Sequence, residues 1–218
     1  EDILIEGARI KAVGPDIKAQ DAEVIEAGNM FVYPGLINTH HHLIQVFNRN
    51  MPVIQKLELW DWLYKMYEFW KGVNQDWVYY SSMIGMGELL KYGCTTCFDQ
   101  HFAFPRGVEK NLIDTQMEVA EQLGIRFHAG RSSFSRGKSQ GGLPPDELVE
   151  TLDEILADSE RVIEKFHDPS RFSMKQVVLS PCSPFSVVPE VMVESARLAR
   201  ARGVRLHCHM AEARMELE

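Results

Sequence analysis

Apolar positions along this chain follow two different periods, and the change between them falls at Pro34. From Ile3 to Val32 the apolar residues form short β-type runs broken by Gly7, Gly14-Pro15 and Gly28-Asn29. That pattern predicts a small antiparallel sheet, a separate minor domain over residues 1–33. After Pro34, strands alternate with helices. Strand-like text near Leu36 to His40 is followed by helical text from Leu57 to Leu90, a strand over Thr95 to Asp99 and a helix over Val108 to Leu123. The alternation continues with a strand over Ile125 to Ala129, a helix over Asp146 to Phe166, a strand over Met174 to Leu179, a helix over Pro189 to Arg202 and a strand over Val204 to His209. Repeated βα units predict an α/β domain over residues 34–218 with a parallel sheet, and chemistry at the C-terminal ends of its strands.

Within the first helical stretch, Trp60, Leu63, Tyr67 and Trp70 recur at helical spacing. Such a stripe reads as a core face before it reads as a ligand platform, with Trp60 or Trp62 able to reach a ligand from the helix start.

The turn Pro34-Gly35 leads into Leu36-Ile37-Asn38-Thr39-His40-His41-His42. On a strand's period of two, His40 and His42 share a face and can hold one metal ion, while His41 points away. A surface histidine run or a tag is a poorer reading, because tags do not follow an apolar strand in mid-chain.

The fifth strand closes in Leu206-His207-Cys208-His209-Met210-Ala211-Glu212. His209 ends its strand as His42 ends the first, and Glu212 follows where a loop can carry its carboxylate over the metal. A metal lowers the pKa of bound water towards ~7, and a nearby carboxylate moves that water's proton. His207 lies one layer deeper and reads as a hydrogen-bonded core histidine.

Composition narrows the partners. The 218 residues carry a formal charge of −8, which argues against a nucleic-acid groove or an anionic membrane surface and favours a neutral or cationic small molecule. No apolar run has the length of a membrane span, and the start Glu1-Asp2-Ile3 lacks a signal-like pattern, so the cytoplasm is the expected compartment. Because Glu1 is not a methionine, the chain as given is expected to begin inside a longer sequence.

Four cysteines are too few for a disulfide scaffold. Cys94 and Cys97 lie on opposite sides of one strand, which argues against redox or zinc use. Gly137-Lys138-Ser139 lacks the earlier glycine of a phosphate-binding loop. Zinc deaminases of the cytidine type are excluded, since Phe185 stands where a second cysteine would follow Cys182.

Gly7-x-Arg9-Ile10-x-Ala12-Val13-Gly14, Pro34-Gly35-Leu36-Ile37-Asn38-Thr39-His40-x-His42 and His209-x-x-Glu212 together resemble the amidohydrolase superfamily in its deaminase and triazine-hydrolase branch. The resemblance implies a (β/α)8 barrel, of which about strands one to five are present, with a small β-sandwich part. It implies one divalent ion, zinc first and iron second, on His40, His42 and His209, with Glu212 as proton shuttle. The family adds a histidine after strand six and an aspartate after strand eight. This chain has neither, and reads as the N-terminal portion of a longer enzyme.

Gln45 matches the position where guanine-type deaminases set a glutamine against the substrate's amide edge. The segments Ile125 to Ser133, Gly141 to Asp146 and Ser180 to Ser186 are similar to 8-oxoguanine deaminases and hydroxytriazine aminohydrolases. Cys182 replaces the arginine of guanine deaminases, which favours 8-oxoguanine or a related ring over guanine. The expected reaction is hydrolytic deamination of such a heterocycle by water, in a homo-oligomer. His101, Arg131 and Cys182 are expected to line the pocket, although Arg131 alternatively makes a structural ion pair and His101 alternatively sits behind the pocket wall. One rival is dechlorination or dealkylamination of a triazine on the same scaffold. Another is a non-catalytic barrel fragment with unpaired strand edges.

Overall fold

The computed structural model describes residues 1–217. The chain divides into two compact units, Glu1–Pro34 and Gly35–Glu218.

The first unit is built on one antiparallel hairpin, β1 (Asp2–Glu6) and β2 (Arg9–Gly14), paired from Asp2↔Gly14 to Glu6↔Arg9. Gly7 takes the left-handed backbone the tight turn needs (φ 59°). The Asp2 carboxylate accepts a hydrogen bond from the Ile17 amide at 3.0 Å. Among the described residues of this unit there is no further strand, so the expected sandwich part is represented by the hairpin.

The second unit holds five parallel strands in the order β3 (Leu36–Asn38), β4 (Cys94–His101), β5 (Arg126–Ser133), β6 (Lys175–Pro181) and β7 (Arg205–Leu206). Helices fill each crossover: α1 (Leu59–Trp70) and α2 (Gln75–Lys91), then α3 (Leu112–Leu123), α4 (Leu152–Phe166) and α5 (Pro189–Arg202). Sequential order and parallel pairing are what repeated βα units generate. Phe127, Ala129, Val177 and Leu179 are buried against these helices, together with Met66, Tyr67 and Trp70 of α1.

Local signals explain where the helices differ from the sequence expectation. The stretch from Leu57 to Leu90 is two helices, because Gly72 and Val73 interrupt it and the Asn74 side chain caps α2 by accepting from the Trp77 amide at 2.9 Å. Residues Asp146–Leu148 form a separate 3₁₀ turn. Helix α4 starts after Thr151, whose side chain and that of Glu154 form a reciprocal capping box. Strand β7 is shorter than expected, pairing with β6 only at Arg205 and Leu206.

Close packing between strands leaves no room at Gly130. A Cβ there would lie 2.6 Å from the Asp99 carbonyl oxygen and 2.9 Å from the Phe98 ring. Both neighbours are in β4, so the backbone cannot yield cheaply. Gly130→Ala is expected to lower the unfolding free energy by about 1–3 kcal/mol, read from urea denaturation. An unchanged midpoint would show that β4 and β5 adjust freely.

Candidate metal centre and substrate cavity

Both ends of the sheet contribute to one cluster. Beyond β3, the Asn38 side-chain oxygen accepts from the His40 amide at 3.1 Å and shapes the chain into His40-His41-His42. The His41 carbonyl accepts from the Gln100 amide at 2.9 Å, tying this segment to β4. Beyond β7, the His209 amide donates to the Cys182 carbonyl at 2.9 Å.

These anchors bring three imidazoles together. His40 Nε2 lies 3.2 Å from His42 Nε2, which lies 3.1 Å from His209 Nε2. The far sides of the rings are held as well. His42 Nδ1 donates to the Gln100 carbonyl at 2.9 Å and His209 Nδ1 to the Cys182 carbonyl at 2.8 Å. A carbonyl has no proton to give, so in the neutral rings both Nδ1 atoms carry the hydrogen and both Nε2 atoms present lone pairs. Two lone pairs therefore face each other at 3.1 Å with no proton between them.

A cation satisfies that arrangement. Zn–N bonds of 2.0–2.1 Å in a tetrahedral site imply ligand nitrogens roughly 3.3 Å apart, close to the separations here. Burial, the largest cause, and the neighbouring histidines push the His42 pKa down to about 3 against the raising effect of the Gln100 carbonyl. Burial followed by His209, His207 and His41 lowers that of His40 to about 4. Both rings are thus neutral near pH 7, the state in which an imidazole can bind a metal. His40 Nδ1 is 3.1 Å from His207 Nε2, so His207 abuts the cluster as a hydrogen-bonding neighbour.

A cavity of about 170 Å³ opens beside the histidines. His40, His42 and His209 form one wall, Gln45 and Glu212 supply polar groups, and Cys182 lines it with Ser183. Gln45 is carried by a 3₁₀ turn, Leu43–Asn48, that begins directly after His42. Ala211, with φ 54°, places a left-handed residue between His209 and Glu212 and bends the chain there. Burial, the largest cause, pushes the Cys182 thiol up to about 12, so its sulfur faces the cavity as a neutral group.

His101 and Arg131 are not brought to this cavity. His101 is fully buried, its ring edge-on to Phe104 at 4.9 Å. Desolvation and then the Arg131 guanidinium lower its pKa to about 3. Arg131 is buried in a structural ion-pair cluster. Its Nη1 and Nη2 donate to the two Glu150 carboxylate oxygens at 2.9 and 2.7 Å, and its Nε to Asp158 at 2.8 Å. The pocket-lining expectation for both residues is corrected accordingly.

The aromatic walls were not anticipated in full. Trp62, Tyr67, Trp70, Phe102, Phe134 and Phe185 all line the cavity. The α1 stripe at helical spacing was the available signal. It serves core and cavity together, since Tyr67 and Trp70 are buried yet bound the site. Trp60 instead packs edge-on against Phe185 at 4.7 Å.

The amidohydrolase family model matches residues 31–218. The chain belongs to the amidohydrolase family. This amidohydrolase is 42% identical over 223 residues to the hydroxydechloroatrazine ethylaminohydrolase of Pseudomonas sp. (strain ADP), covering 97% of this chain and 46% of that one. It is 42% identical over 191 residues to the 8-oxoguanine deaminase of Pseudomonas aeruginosa, covering 88% and 42%. Among solved structures it is similar to the atrazine chlorohydrolase of Arthrobacter aurescens TC1 complexed with zinc, with a TM-score of 0.86, 33% identity and coverage of 96% of this chain and 48% of that one. The chain spans about half the length of these relatives. Its curled five-stranded sheet is part of the family's (β/α)8 barrel.

Proposed function

We propose that the enzyme carrying this chain hydrolytically deaminates an amino-substituted heterocycle, an 8-oxoguanine-like purine, using one divalent ion held by His40, His42 and His209. The observation that carries this reading is the convergence of three imidazoles, with His42 Nε2 3.2 Å from His40 Nε2 and 3.1 Å from His209 Nε2, beside a cavity that also presents Glu212 and Gln45. Zinc is the ion of choice, supported by the zinc complex of a related hydrolase; iron is the second choice. Once bound, the ion supplies Lewis acidity and makes water a nucleophile near neutral pH.

The remaining work falls to side chains of this chain. The aromatic faces of Trp62, Tyr67 and Phe134 hold a planar ring and exclude water. Gln45, with an amide donor and acceptor, pairs with the ring's own amide edge. Glu212 accepts a proton from the attacking water and returns it to the ring nitrogen or the departing amine. The water oxygen bonds to the ring carbon, the carbon–nitrogen bond breaks, and ammonia leaves. No step uses His101 or Arg131, and the protonated Cys182 contributes shape. The cytoplasm remains the proposed setting, supported by four free cysteines.

A second reading keeps the same residues and changes the leaving group. The triazine names of two relatives favour it. An electron-poor ring carbon accepts water whether an amine, an alkylamine or chloride departs. Zinc-loaded protein is expected to release ammonia from 8-oxoguanine in preference to ethylamine from a hydroxylated ethylaminotriazine or chloride from a chlorotriazine. Ethylamine or chloride as the dominant product would replace the deaminase reading with the triazine one, and no product from any of the three would overturn both.

A further inference from the structure

Asp99 is a buried carboxylate that the proposed chemistry does not use. It is fully enclosed at the C-terminal end of β4, next to Gln100, whose carbonyl holds the His42 ring. One Asp99 oxygen accepts from the Leu43 amide at 2.5 Å and the other from the Gln116 side chain at 2.7 Å. Leu43 follows His42 directly and is the first residue of the 3₁₀ turn that carries Gln45. No side chain within that turn caps it, so its leading amide depends on a carboxylate from another strand.

Two adjacent residues of β4 therefore grip the histidine segment at three points. The Gln100 amide holds the His41 carbonyl, the Gln100 carbonyl holds the His42 ring, and the Asp99 side chain holds the amide after His42. The first two grips use backbone atoms and do not depend on which side chain position 100 carries, proline apart. The third is the one a side chain supplies. It fixes the direction in which the chain leaves His42, and with it both the His42 imidazole and the start of the segment bearing Gln45.

We propose that Asp99 is a positioning residue of the metal centre, holding His42 in ligating geometry through the Leu43 amide. The proposal rests on the reading of His40, His42 and His209 as metal ligands. Supporting groups behind metal-bound histidines typically contribute about 10–100-fold in metal affinity.

Asparagine is the discriminating substitution. Its side-chain oxygen can still accept from Leu43, and its amide would face Gln116, whose own side-chain oxygen has no hydrogen-bond partner among the described residues. Rotation of the Gln116 amide provides that acceptor, so Asp99→Asn keeps the grip and the fold. Asp99→Ala releases it.

The test is zinc affinity of the protein and its two variants, measured by competition with a chromophoric chelator well below each melting temperature, with the cobalt(II) absorption spectrum as a report on ligand geometry. We expect Asp99→Ala to bind zinc about 10–100-fold more weakly with an altered cobalt spectrum, and Asp99→Asn to match wild type in both. Equal affinity for all three proteins, or equal loss in both variants, would overturn the positioning role while leaving the ligand assignment in place. Failure of the wild-type protein itself to bind zinc would overturn the ligand assignment and this proposal with it.

Discussion

Glu212→Gln is expected to lower turnover by about 10²–10⁴-fold, the range of a positioned proton carrier, while zinc content stays at the wild-type level. Glutamine keeps the size and hydrogen-bonding reach of the side chain and removes its capacity to take and return a proton. Glu212 borders the cavity from the loop after His209, but the three nitrogens that converge belong to His40, His42 and His209. Loss of the carboxylate therefore leaves the donor set intact. The measurement is steady-state ammonia release together with elemental analysis of the same sample. Near-normal turnover would remove Glu212 from the mechanism, and a parallel fall in zinc would make it a ligand instead.

Arg131→Met is expected to destabilise the fold by about 3–5 kcal/mol, because removing one member of a buried ionic cluster leaves charges without partners. Here Glu150 and Asp158 both lose the guanidinium, and both are themselves almost completely buried. Lys110 remains near Glu150 at 3.3 Å and Arg161 near Asp158 at 2.8 Å, so the two carboxylates are not abandoned entirely. Arg131 also lies over the Phe104 ring at 4.0 Å, a contact methionine replaces only in part. Against typical domain stabilities of about 5–15 kcal/mol, this loss is large. Urea denaturation of folded variant and wild type reads it directly. A change below about 1 kcal/mol would place the cluster with surface ion pairs in its energetic weight.

What was legible in the sequence follows from the range of the interactions concerned. A strand's period of two pairs His40 with His42 in the sequence, yet β3 ends at Asn38, and the two rings are brought together instead by the Asn38 side chain and by Gln100 of β4. His209 is expected to close its strand, but β7 ends at Leu206 and the His209 amide is held by the Cys182 carbonyl beyond it, a partner 27 residues away. The order of strands and helices was readable from βα alternation, and helix α5 was recovered with the expected bounds because Pro189 opens it and Gly203 closes it in left-handed conformation.

Long-range partners were not readable. Nothing local marks Arg131 as the counterpart of Glu150, 19 residues on, and Asp158, 27 residues on. A polar residue on a strand near the site looked the same whether it faced the cavity or the layer behind it. The division between α1 and α2 depended on weak signals, one glycine and one capping asparagine, which a long helical pattern overrode. Tyr67 and Trp70 read as core and are core; that the core's surface is also the cavity wall depends on the curl of the sheet, which no local pattern encodes.

The histidine cluster joins the two outermost strands of the parallel sheet, β3 and β7, across 167 positions of chain between His42 and His209. An ion seated there is topologically a staple. It ties the beginning of the barrel segment to its end, and the loop it closes contains every crossover helix. In the chain-entropy account of cross-links, closing a loop of about 100 residues removes on the order of 5 kcal/mol from the unfolded ensemble, and longer loops slightly more. If these three nitrogens take the metal as proposed, the ion that would serve the reaction would also cross-link the sheet, so that occupancy of the site and resistance to unfolding would rise and fall together.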